Sequence, residues 1–173
     1  MTAFRKLRFG LLLLVLGCTV GCDQTSKHIA RIELDRLGSI ALPGHFGELR
    51  LAENPGSFLS LGESLSAPMR TAFLTIGVGV GLFGLLAYLV NRRGLSWLAF
   101  TGLAMAWAGG MSNLIDRIFR EGSVTDFIII RIGPLHTGVF NLADVVILLG
   151  LATLICDLWR RRQARSSEPR GAK

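Results

Sequence analysis

The stretch Phe140-Asn141-Leu142-Ala143-Asp144-Val145-Val146-Ile147 places a carboxylate just inside the start of a long apolar run. Residues 140–159 are almost all apolar, and about 20 such residues suffice for a membrane-spanning helix. A carboxylate at the centre of a helix in lipid costs about 2.5 to 3.5 kcal/mol, and less near the interface. Asp144 is therefore a candidate functional residue, and the rest of the sequence is expected to contain its partner.

The composition points to a membrane protein. Half of the 173 residues are hydrophobic, 18% are charged and the mean hydropathy is +0.49, whereas soluble domains contain about 25% charged residues. The formal net charge of +7 arises from basic residues clustered beside apolar runs, which is typical of the positive-inside rule. A nucleic-acid surface would need a basic face with stacking aromatic residues, so no nucleic acid partner is expected.

Four apolar runs predict membrane spans at about residues 9–29, 69–90, 95–115 and 140–159. The first uninterrupted run, residues 9–22, is too short to cross a bilayer of about 30 Å, so it is either cleaved or continued. Leu16-Gly17-Cys18 and Val20-Gly21-Cys22 resemble the cleavage region of a bacterial lipoprotein signal. We favour continuation to about Ile29, because further membrane spans follow instead of a soluble domain.

The predicted fold is an all-α membrane protein, a four-transmembrane-helix bundle with a small extra-membrane β element on the periplasmic side. The β element is expected around Leu49 and Leu51, which alternate with polar residues at the period of a strand. Residues 1–173 are predicted to form a single membrane domain, with a disordered basic tail over 160–173. Glycines of the second span, at 77, 79, 81 and 84, and small residues of the third predict close helix packing.

The charge distribution predicts the orientation. Eleven of the 19 Lys and Arg residues, but only two of the 12 acidic residues, lie at the N terminus, in the turn at 91–94 and in the tail. Both termini are therefore expected on the cytoplasmic side of the membrane. Four carboxylates then gather near the outer, periplasmic face: Asp23, Asp116, Asp126 and Asp144.

The spacing of polar residues favours an aspartic protease. Three pairs share a helical face by their spacing: Asn141 with Asp144, Asn113 with Asp116, and Asp23 with Lys27. Two carboxylates brought together in a low-dielectric site cannot both ionise easily, so one keeps its proton while the other acts as a general base towards water. Four residues are available to hold the pair and the substrate backbone: Asn54, Asn113, Asn141 and Arg117.

Other kinds of site and protein were weighed. The three histidines lie in polar stretches and are interpreted as surface residues, and the three cysteines, interpreted as small buried residues, give no disulfide framework or metal-ligand spacing. A proton-coupled transporter or channel subunit would distribute carboxylates across the membrane depth. A structural or lipoprotein-like anchor would give the aspartates and asparagines no role.

Five motifs occur in an order that resembles the bacterial lipoprotein signal peptidases, also called signal peptidase II. They are Asp23-Gln24-Thr25-Ser26-Lys27, Glu53-Asn54-Pro55-Gly56, Gly109-Gly110-Met111-Ser112-Asn113-Leu114-Ile115-Asp116-Arg117, Gly122-Ser123-Val124-Thr125-Asp126-Phe127-Ile128 and Phe140-Asn141-Leu142-Ala143-Asp144. The resemblance covers nearly the whole chain. It departs from the family pattern at Pro55 to Leu59, where Thr-Gly-Ala-Ala-Phe is more usual, and at Ser112, where glycine is usual.

The resemblance implies an inner-membrane aspartic endopeptidase that removes the signal peptide from diacylglyceryl-modified prolipoproteins, cutting before the lipid-modified Cys. It implies Asp126 and Asp144 as the catalytic pair, with no metal or other cofactor. Substrate-binding or site-supporting roles are implied for Asp23, Lys27, Asn54, Gly56, Asn113, Asp116, Arg117 and Asn141. The protein is expected to be a monomer, with prolipoproteins and membrane lipids as its partners.

Two residues are candidates for the partner of Asp144. From position alone Asp116, at the end of a helix, is as good a candidate as Asp126. The family pattern favours Asp126, which we also interpreted as a loop-borne catalytic group, and makes Asp116 an ion-paired structural residue. A lid over the substrate, formed by the β element and residues 54–60, is a further hypothesis from the Gly and Pro content.

Overall fold

The structure is a computed structural model that describes residues 3–55, 66, 68–69 and 72–166, apart from the side chains of His45 and Arg165. The helices are α1 (Ala3–Leu37), α2 (Val78–Asn91), α3 (Trp97–Phe119) and α4 (Leu142–Ser166), and a π-helical segment, Ala72–Gly77, leads into α2. The strands are β1 (Ser39–Ala41), β2 (Gly47–Asn54), β3 (Val124–Ile132) and β4 (Leu135–His136). Most of the predicted lid, from Gly56 onward, lies outside the described residues.

Among the residues that the structure describes, three helices are long and apolar enough to cross a membrane: Ala72–Asn91, Trp97–Phe119 and Leu142–Ala164. Their outward surfaces carry large apolar side chains, such as Phe83 on α2 and Leu148 and Ile155 on α4. Such a continuous apolar exterior fits hydrocarbon and would be unfavourable in water. The protein is therefore embedded in a membrane through these helices.

Helix α1 is continuous from Ala3 to Leu37, so the first apolar run does continue through Asp23 and Lys27 as expected. Its N-terminal half packs Leu12 against Leu89 and Phe100 in the buried core of the helical layer. Its C-terminal half packs Ala30 and Leu34 against Phe127 of the sheet. One helix thus connects the bundle core with the sheet.

The closest helix packing is between α3 and α4. A Cβ atom on Gly109 would lie 2.6 Å from the carbonyl oxygen of Ala143, and one on Gly102 would lie 2.7 Å from that of Gly150. The small residues of the third predicted span therefore do allow another helix to come near.

The prediction that the glycines of the second span allow close helix packing is largely wrong. Cβ atoms on Gly77, Gly81 and Gly84 would meet no neighbouring atom within 4 Å in the described part of the chain, and of these four glycines only Gly79 lies near another described helix. The cysteines Cys18, Cys22 and Cys156 are free and exposed on the helix surfaces rather than buried. Both errors have one cause: lipid accepts small and apolar side chains as readily as a protein core does, so composition cannot distinguish the two environments.

The sheet is antiparallel, in the order β1-β2-β3-β4. The predicted strand around Leu49 and Leu51 is its second strand. The β2–β3 register shifts between Leu49 and Ala52, where β2 carries one residue more than β3, so Ala52 lies opposite Asp126. Beyond β4, Phe140 pairs with Ile128 in an isolated bridge. This bridge holds the start of α4 beside β3.

Two predicted boundaries need correction. Residues 160–166 of the predicted disordered tail continue α4, and residues 167–173 lie outside the described part of the chain. Asp126, interpreted as loop-borne, lies on strand β3, where it is 3% exposed. The β-branched run that follows it has high strand propensity, which extends the strand back through the aspartate.

Candidate active site

A buried lysine lies at the centre of the polar residues between α1, α3 and α4. The Nζ atom of Lys27 is 2.7 Å from Oδ2 of Asp23 and 2.8 Å from Oδ2 of Asp116, and it donates a hydrogen bond of 2.9 Å to Oδ1 of Asn113. Lys27 and Asp23 are fully buried and Asp116 is 1% exposed. The predicted Asp23–Lys27 ion pair is therefore present. All three ammonium donors have partners, which is what a buried lysine requires.

Asp23 also binds the first turn of α4. Its Oδ1 accepts a hydrogen bond of 2.9 Å from the backbone N–H of Ala143, and its Oδ2 accepts one of 2.7 Å from the hydroxyl of Ser112. The N–H groups of a first helical turn have no partner within their own helix. A carboxylate there satisfies one of them and interacts favourably with the helix dipole. Asp23 thereby fixes where α4 begins.

Asn141 and Asp144 form a reciprocal cap at the start of α4. The Oδ1 atom of Asn141 accepts a hydrogen bond of 3.0 Å from the backbone N–H of Asp144, and Oδ2 of Asp144 accepts one of 3.2 Å from the backbone N–H of Asn141. This is the geometry of a capping box with Asn and Asp. The spacing predicted that Asn141 and Asp144 share one face of a helix. In the structure Asn141 instead immediately precedes α4 and caps it.

The side-chain amide of Asn113 orients the Asp144 carboxylate from the other side. Its Oδ1 accepts from Lys27, so its Nδ2 is directed at Asp144 and donates a hydrogen bond of 2.9 Å to Oδ1. The two oxygens of Asp144 thus accept from Asn113 and from the backbone of Asn141. These two hydrogen bonds fix the orientation of the Asp144 carboxylate.

Asp126 is held by two amides. Nδ2 of Asn141 donates a hydrogen bond of 2.6 Å to its Oδ1, and Nδ2 of Asn54 donates one of 3.0 Å to its Oδ2. Burial shifts the pKa of Asp126 upward from 3.8 to about 6, and the charge of Asp144 acts in the same direction, whereas the hydrogen bonds from Asn54 and Asn141 lower it. The pKa of Asp126 is thus shifted towards neutral pH.

One asparagine links the two aspartates. Asn141 contacts Asp126 through its side-chain Nδ2 and Asp144 through its backbone N–H and its Oδ1. Because its Oδ1 is occupied by the N–H of Asp144, the Nδ2 end must face Asp126. Asp116, the alternative partner, is instead occupied by Lys27 and by weaker ion pairs with Arg31 and Arg120, at 3.8 and 3.6 Å.

Sequence reasoning missed a second layer of polar residues. Gln24 donates to Oδ1 of Asp116 at 3.0 Å, and the hydroxyl of Thr125 accepts from Arg31 at 2.7 Å and donates to Glu53 at 2.8 Å. Gln24, Glu53 and Thr125 lie inside the quoted motifs, and Arg31 follows Lys27 by four residues on the same helical face. Helical spacing could therefore have identified Arg31.

Two predicted site residues remain, Arg117 and Gly56. Arg117 is close enough to Asp126 and Asp144 to interact with their charges, yet among the described residues it forms no ion pair within 4 Å, and its buried Nε has no hydrogen-bond partner. Gly56 lies outside the described residues. Within the described ranges, no group of three or more His, Cys, Asp or Glu side chains is arranged to hold a metal ion.

The comparisons with known proteins agree with one another. A family model described as signal peptidase (SPase) II matches residues 15–160. The lipoprotein signal peptidase of Paraburkholderia phymatum is 35% identical over 139 residues, which are 80% of this chain and 81% of that protein. That of Syntrophus aciditrophicus is 30% identical over 158 residues, covering 90% and 96%.

Two solved structures share the fold. A bacterial membrane enzyme structure obtained by the in meso method at 2.3 Å resolution has a TM-score of 0.76 and 24% identity over 95% of both chains. Another, at 1.9 Å resolution, has a TM-score of 0.75 and 25% identity over 86% of this chain and 92% of that one. The match over residues 15–160 includes every described residue of the site, and the chain belongs to the signal peptidase II family of bacterial membrane peptidases.

Proposed function

We propose that this protein removes signal peptides from diacylglyceryl-modified prolipoproteins as an aspartic endopeptidase, with Asp126 and Asp144 as the catalytic pair. Removal of lipoprotein signal peptides is the activity of its family. The observation that carries the assignment of the pair is the link through Asn141, which contacts both carboxylates. Two acidic groups held together in this way can share one proton, as hydrolysis by an aspartic peptidase requires.

The surrounding charges support this choice of pair. Lys27 lies within 2.8 Å of both Asp23 and Asp116, so these two carboxylates are ion-paired and held in place. Asp126 and Asp144 have amide donors instead of an ion pair within 4 Å among the described residues. Carboxyls that are not held in a close ion pair are better placed to exchange a proton with a substrate or water than ion-paired carboxylates are.

In the proposed reaction Asp144 is ionised and Asp126 is protonated before the substrate is cut. Asp144 takes a proton from a water molecule, the resulting hydroxide attacks the carbonyl carbon before the lipid-modified Cys, and Asp126 donates its proton to the carbonyl oxygen. The diol then collapses: Asp144 protonates the leaving amine nitrogen, and a diol hydroxyl returns a proton to Asp126. Each carboxyl ends in its starting state.

The side chain of Arg117 is suited to hold the substrate. Its Nε is buried without a partner among the described residues, and its charge interacts with both Asp126 and Asp144. A guanidinium with a free donor can bind a backbone carbonyl of an extended peptide. Arg117 is therefore proposed to bind the substrate chain next to the scissile bond.

We propose that α1 is a fourth membrane span and that both termini are cytoplasmic. At 1.5 Å per residue α1 is about 52 Å long, which exceeds a hydrocarbon layer of about 30 Å. Its N-terminal part exposes Leu7, Leu13 and Leu14, as a lipid-facing helix would. The basic residues at the N terminus, the α2–α3 turn and the tail follow the positive-inside rule.

This topology locates the proposed catalytic pair at the periplasmic face of the inner membrane. Asp144 is in the first turn of α4 and Asp116 is in the last turns of α3, and both ends lie opposite the basic α2–α3 turn. The sheet extends beyond the same end and, with β2 and β3, borders the site. The proposed active form is a monomer in contact with membrane lipids, as expected from the sequence.

The assignment is tested by prolipoprotein processing with the purified protein. We expect Asp126→Asn and Asp144→Asn each to reduce kcat by at least about 100-fold, because general acid and base catalysis contributes that much or more. Asp35→Asn, an exposed carboxylate on α1, is the matched control and should retain wild-type turnover.

Thermal unfolding of each variant distinguishes a chemical defect from misfolding. Asp116→Asn should lower stability as well as turnover, because it removes a partner of Lys27. Wild-type cleavage by both Asp126→Asn and Asp144→Asn would exclude the pair. Loss of turnover in a stable Asp116→Asn protein, with Asp126→Asn active, would make Asp116 the partner of Asp144.

A further inference from the structure

A basic cavity lies at the end of the bundle that is remote from the candidate active site. It encloses about 720 Å³ between the start of α1, the end of α2 and the start of α3. Four arginines line it: Arg5, Arg8, Arg92 and Arg93. Arg8 precedes Asp23 on the same helix by about four turns, or about 22 Å, so the cavity is separate from the candidate active site.

Arg8 is the buried member of this group, with 7% of its surface exposed. Its Nη1 donates a hydrogen bond of 3.3 Å to the carbonyl oxygen of Arg92, and its Nη2 donates to that of Leu95. Its Nε is buried and has no hydrogen-bond partner in the described part of the chain. One donor of a buried guanidinium is therefore left for a ligand.

The charge of this cavity is not balanced by the described residues. None of its four arginines has an ion pair within 4 Å there, and Asp157, an acidic residue at the same end, is bound to Arg161 at 2.7 Å. The Arg8 guanidinium lies 4.4 Å from the ring centre of Phe4 and 5.0 Å from that of Phe100. Aromatic faces compensate a cation only in part, so an anion is still favoured.

The rest of the lining is apolar. Phe9, Leu12, Leu89 and Val90 form the wall next to the arginines. A ligand that fits both parts carries a phosphate for the guanidinium groups and hydrocarbon for the wall. Basic pockets between membrane helices on the cytoplasmic side have this composition where they bind lipid head groups.

We propose that this cavity binds an anionic phospholipid, with its phosphate among Arg5, Arg8, Arg92 and Arg93 and an acyl chain along Leu12 and Leu89. The location of this cavity on the cytoplasmic side of the membrane rests on the proposed topology, whereas its binding of an anionic phospholipid does not. Because Arg8 joins α1 to the α2–α3 turn through two carbonyl oxygens, a phosphate beside it stabilises the attachment of α1 to the bundle.

The test measures lipid binding and thermal stability of the full-length protein in a neutral detergent. Phosphatidylglycerol, phosphatidylcholine and inorganic phosphate are added separately, and retained lipid is counted by native mass spectrometry while unfolding is followed by intrinsic fluorescence. We expect phosphatidylglycerol to bind in preference to phosphatidylcholine and to raise the unfolding midpoint. Equal binding of the two lipids, or the full stabilisation with inorganic phosphate alone, would refute a phospholipid site.

The variants separate a built site from general surface charge. Arg5→Gln with Arg93→Gln removes two exposed lining arginines, whereas Lys6→Gln with Arg160→Gln removes the same charge from the same end outside the cavity. The first pair should reduce phosphatidylglycerol affinity by about fivefold for each arginine, and the control pair should leave it unchanged. Equal losses in both pairs would contradict the proposal. Prolipoprotein cleavage in detergent is measured in parallel, and wild-type turnover in both pairs shows that the lipid result is independent of the catalytic assignment.

Discussion

At the scale of single residues, the orientation of two amide side chains decides the chemistry of the candidate site. The carbonyl oxygen of Asn113 is occupied by Lys27 and that of Asn141 by the N–H of Asp144, so both NH₂ groups face a carboxylate. Neither amide can rotate without losing a buried hydrogen bond. The amides are therefore fixed donors that hold both carboxylates in a defined orientation.

The raised pKa of Asp126 predicts the pH dependence of cleavage. If Asp126 must be protonated, kcat/KM of the free enzyme should fall as the pH rises above about 6, where this proton is lost. The hydrogen bond from Asn54 lowers this pKa, so Asn54→Ala should move the alkaline limb to higher pH. Asn91→Ala, at the opposite end of the bundle, is the control. If the alkaline limb of the pH profile is unchanged in Asn54→Ala, or moves to lower pH, Asp126 is not the acid.

The buried position of Lys27 predicts a large effect on stability. Lys27→Met leaves Asp23 and Asp116 buried without their cation, which should reduce the free energy of unfolding by about 3 to 5 kcal/mol. Adding Asp116→Asn to Lys27→Met removes one of the uncompensated charges and should restore part of the loss. Thermal or denaturant unfolding of the single and double variants measures this coupling. A double variant as unstable as the sum of the two single variants would show that Lys27 does not act by neutralising Asp116.

At the scale of elements, the contact between α3 and α4 positions the start of α4. Gly109 faces the backbone of Ala143, which lies between Asn141 and Asp144, the residues that cap α4. The bridge between Phe140 and Ile128 then holds the preceding residue to β3. The distance between Asp126 and Asp144 thus depends on one helix contact and one strand bridge.

Glycine substitutions test this contact. Gly109→Ala should separate α3 from α4, because its Cβ would lie 2.6 Å from the Ala143 oxygen and 2.7 Å from Cγ1 of Ile147. We expect a loss of about 1 to 3 kcal/mol in unfolding free energy, together with a lower kcat. Gly81→Ala has open space around its Cβ and is the control. It should be neutral or stabilising, since alanine favours helix by up to about 1 kcal/mol. Similar behaviour of the two variants would show that the close approach has no effect.

At the scale of the whole molecule, charge separates the two ends of the bundle. The candidate active site and the sheet lie at one end, and the arginine-lined cavity and the basic C-terminal turns of α4 lie at the other. Moving either end through lipid would be costly, so one orientation is favoured.

The proposed orientation is tested by cysteine labelling in spheroplasts. With Cys18, Cys22 and Cys156 replaced by Ser, a single Leu135→Cys on β4 should react with a membrane-impermeant maleimide in intact spheroplasts, because Leu135 is 74% exposed. Gln163→Cys near the end of α4 should react only after lysis. Labelling of Gln163→Cys in intact spheroplasts would reverse the proposed topology.

The sequence by itself determined much of this protein. Apolar runs of bilayer length predicted the membrane helices, because hydropathy and the 1.5 Å rise of a helix depend only on local sequence. Spacing within one helix predicted the Asp23–Lys27 pair, and period-two alternation predicted β2. The five motifs identified the residues that gather at the site.

Only the tertiary structure decided how those residues are connected. Lys27 pairs with Asp116 across two helices, and Asp126 lies on a strand whose register a bulge sets. The Phe140 bridge to Ile128 brings Asn141 beside β3, where its side chain contacts Asp126. These contacts join residues far apart in the chain, and no local periodicity specifies them. The same holds for Arg8: its sequence neighbours suggest an exposed basic cluster, and the packing of α1 against the α2–α3 turn is what buries it.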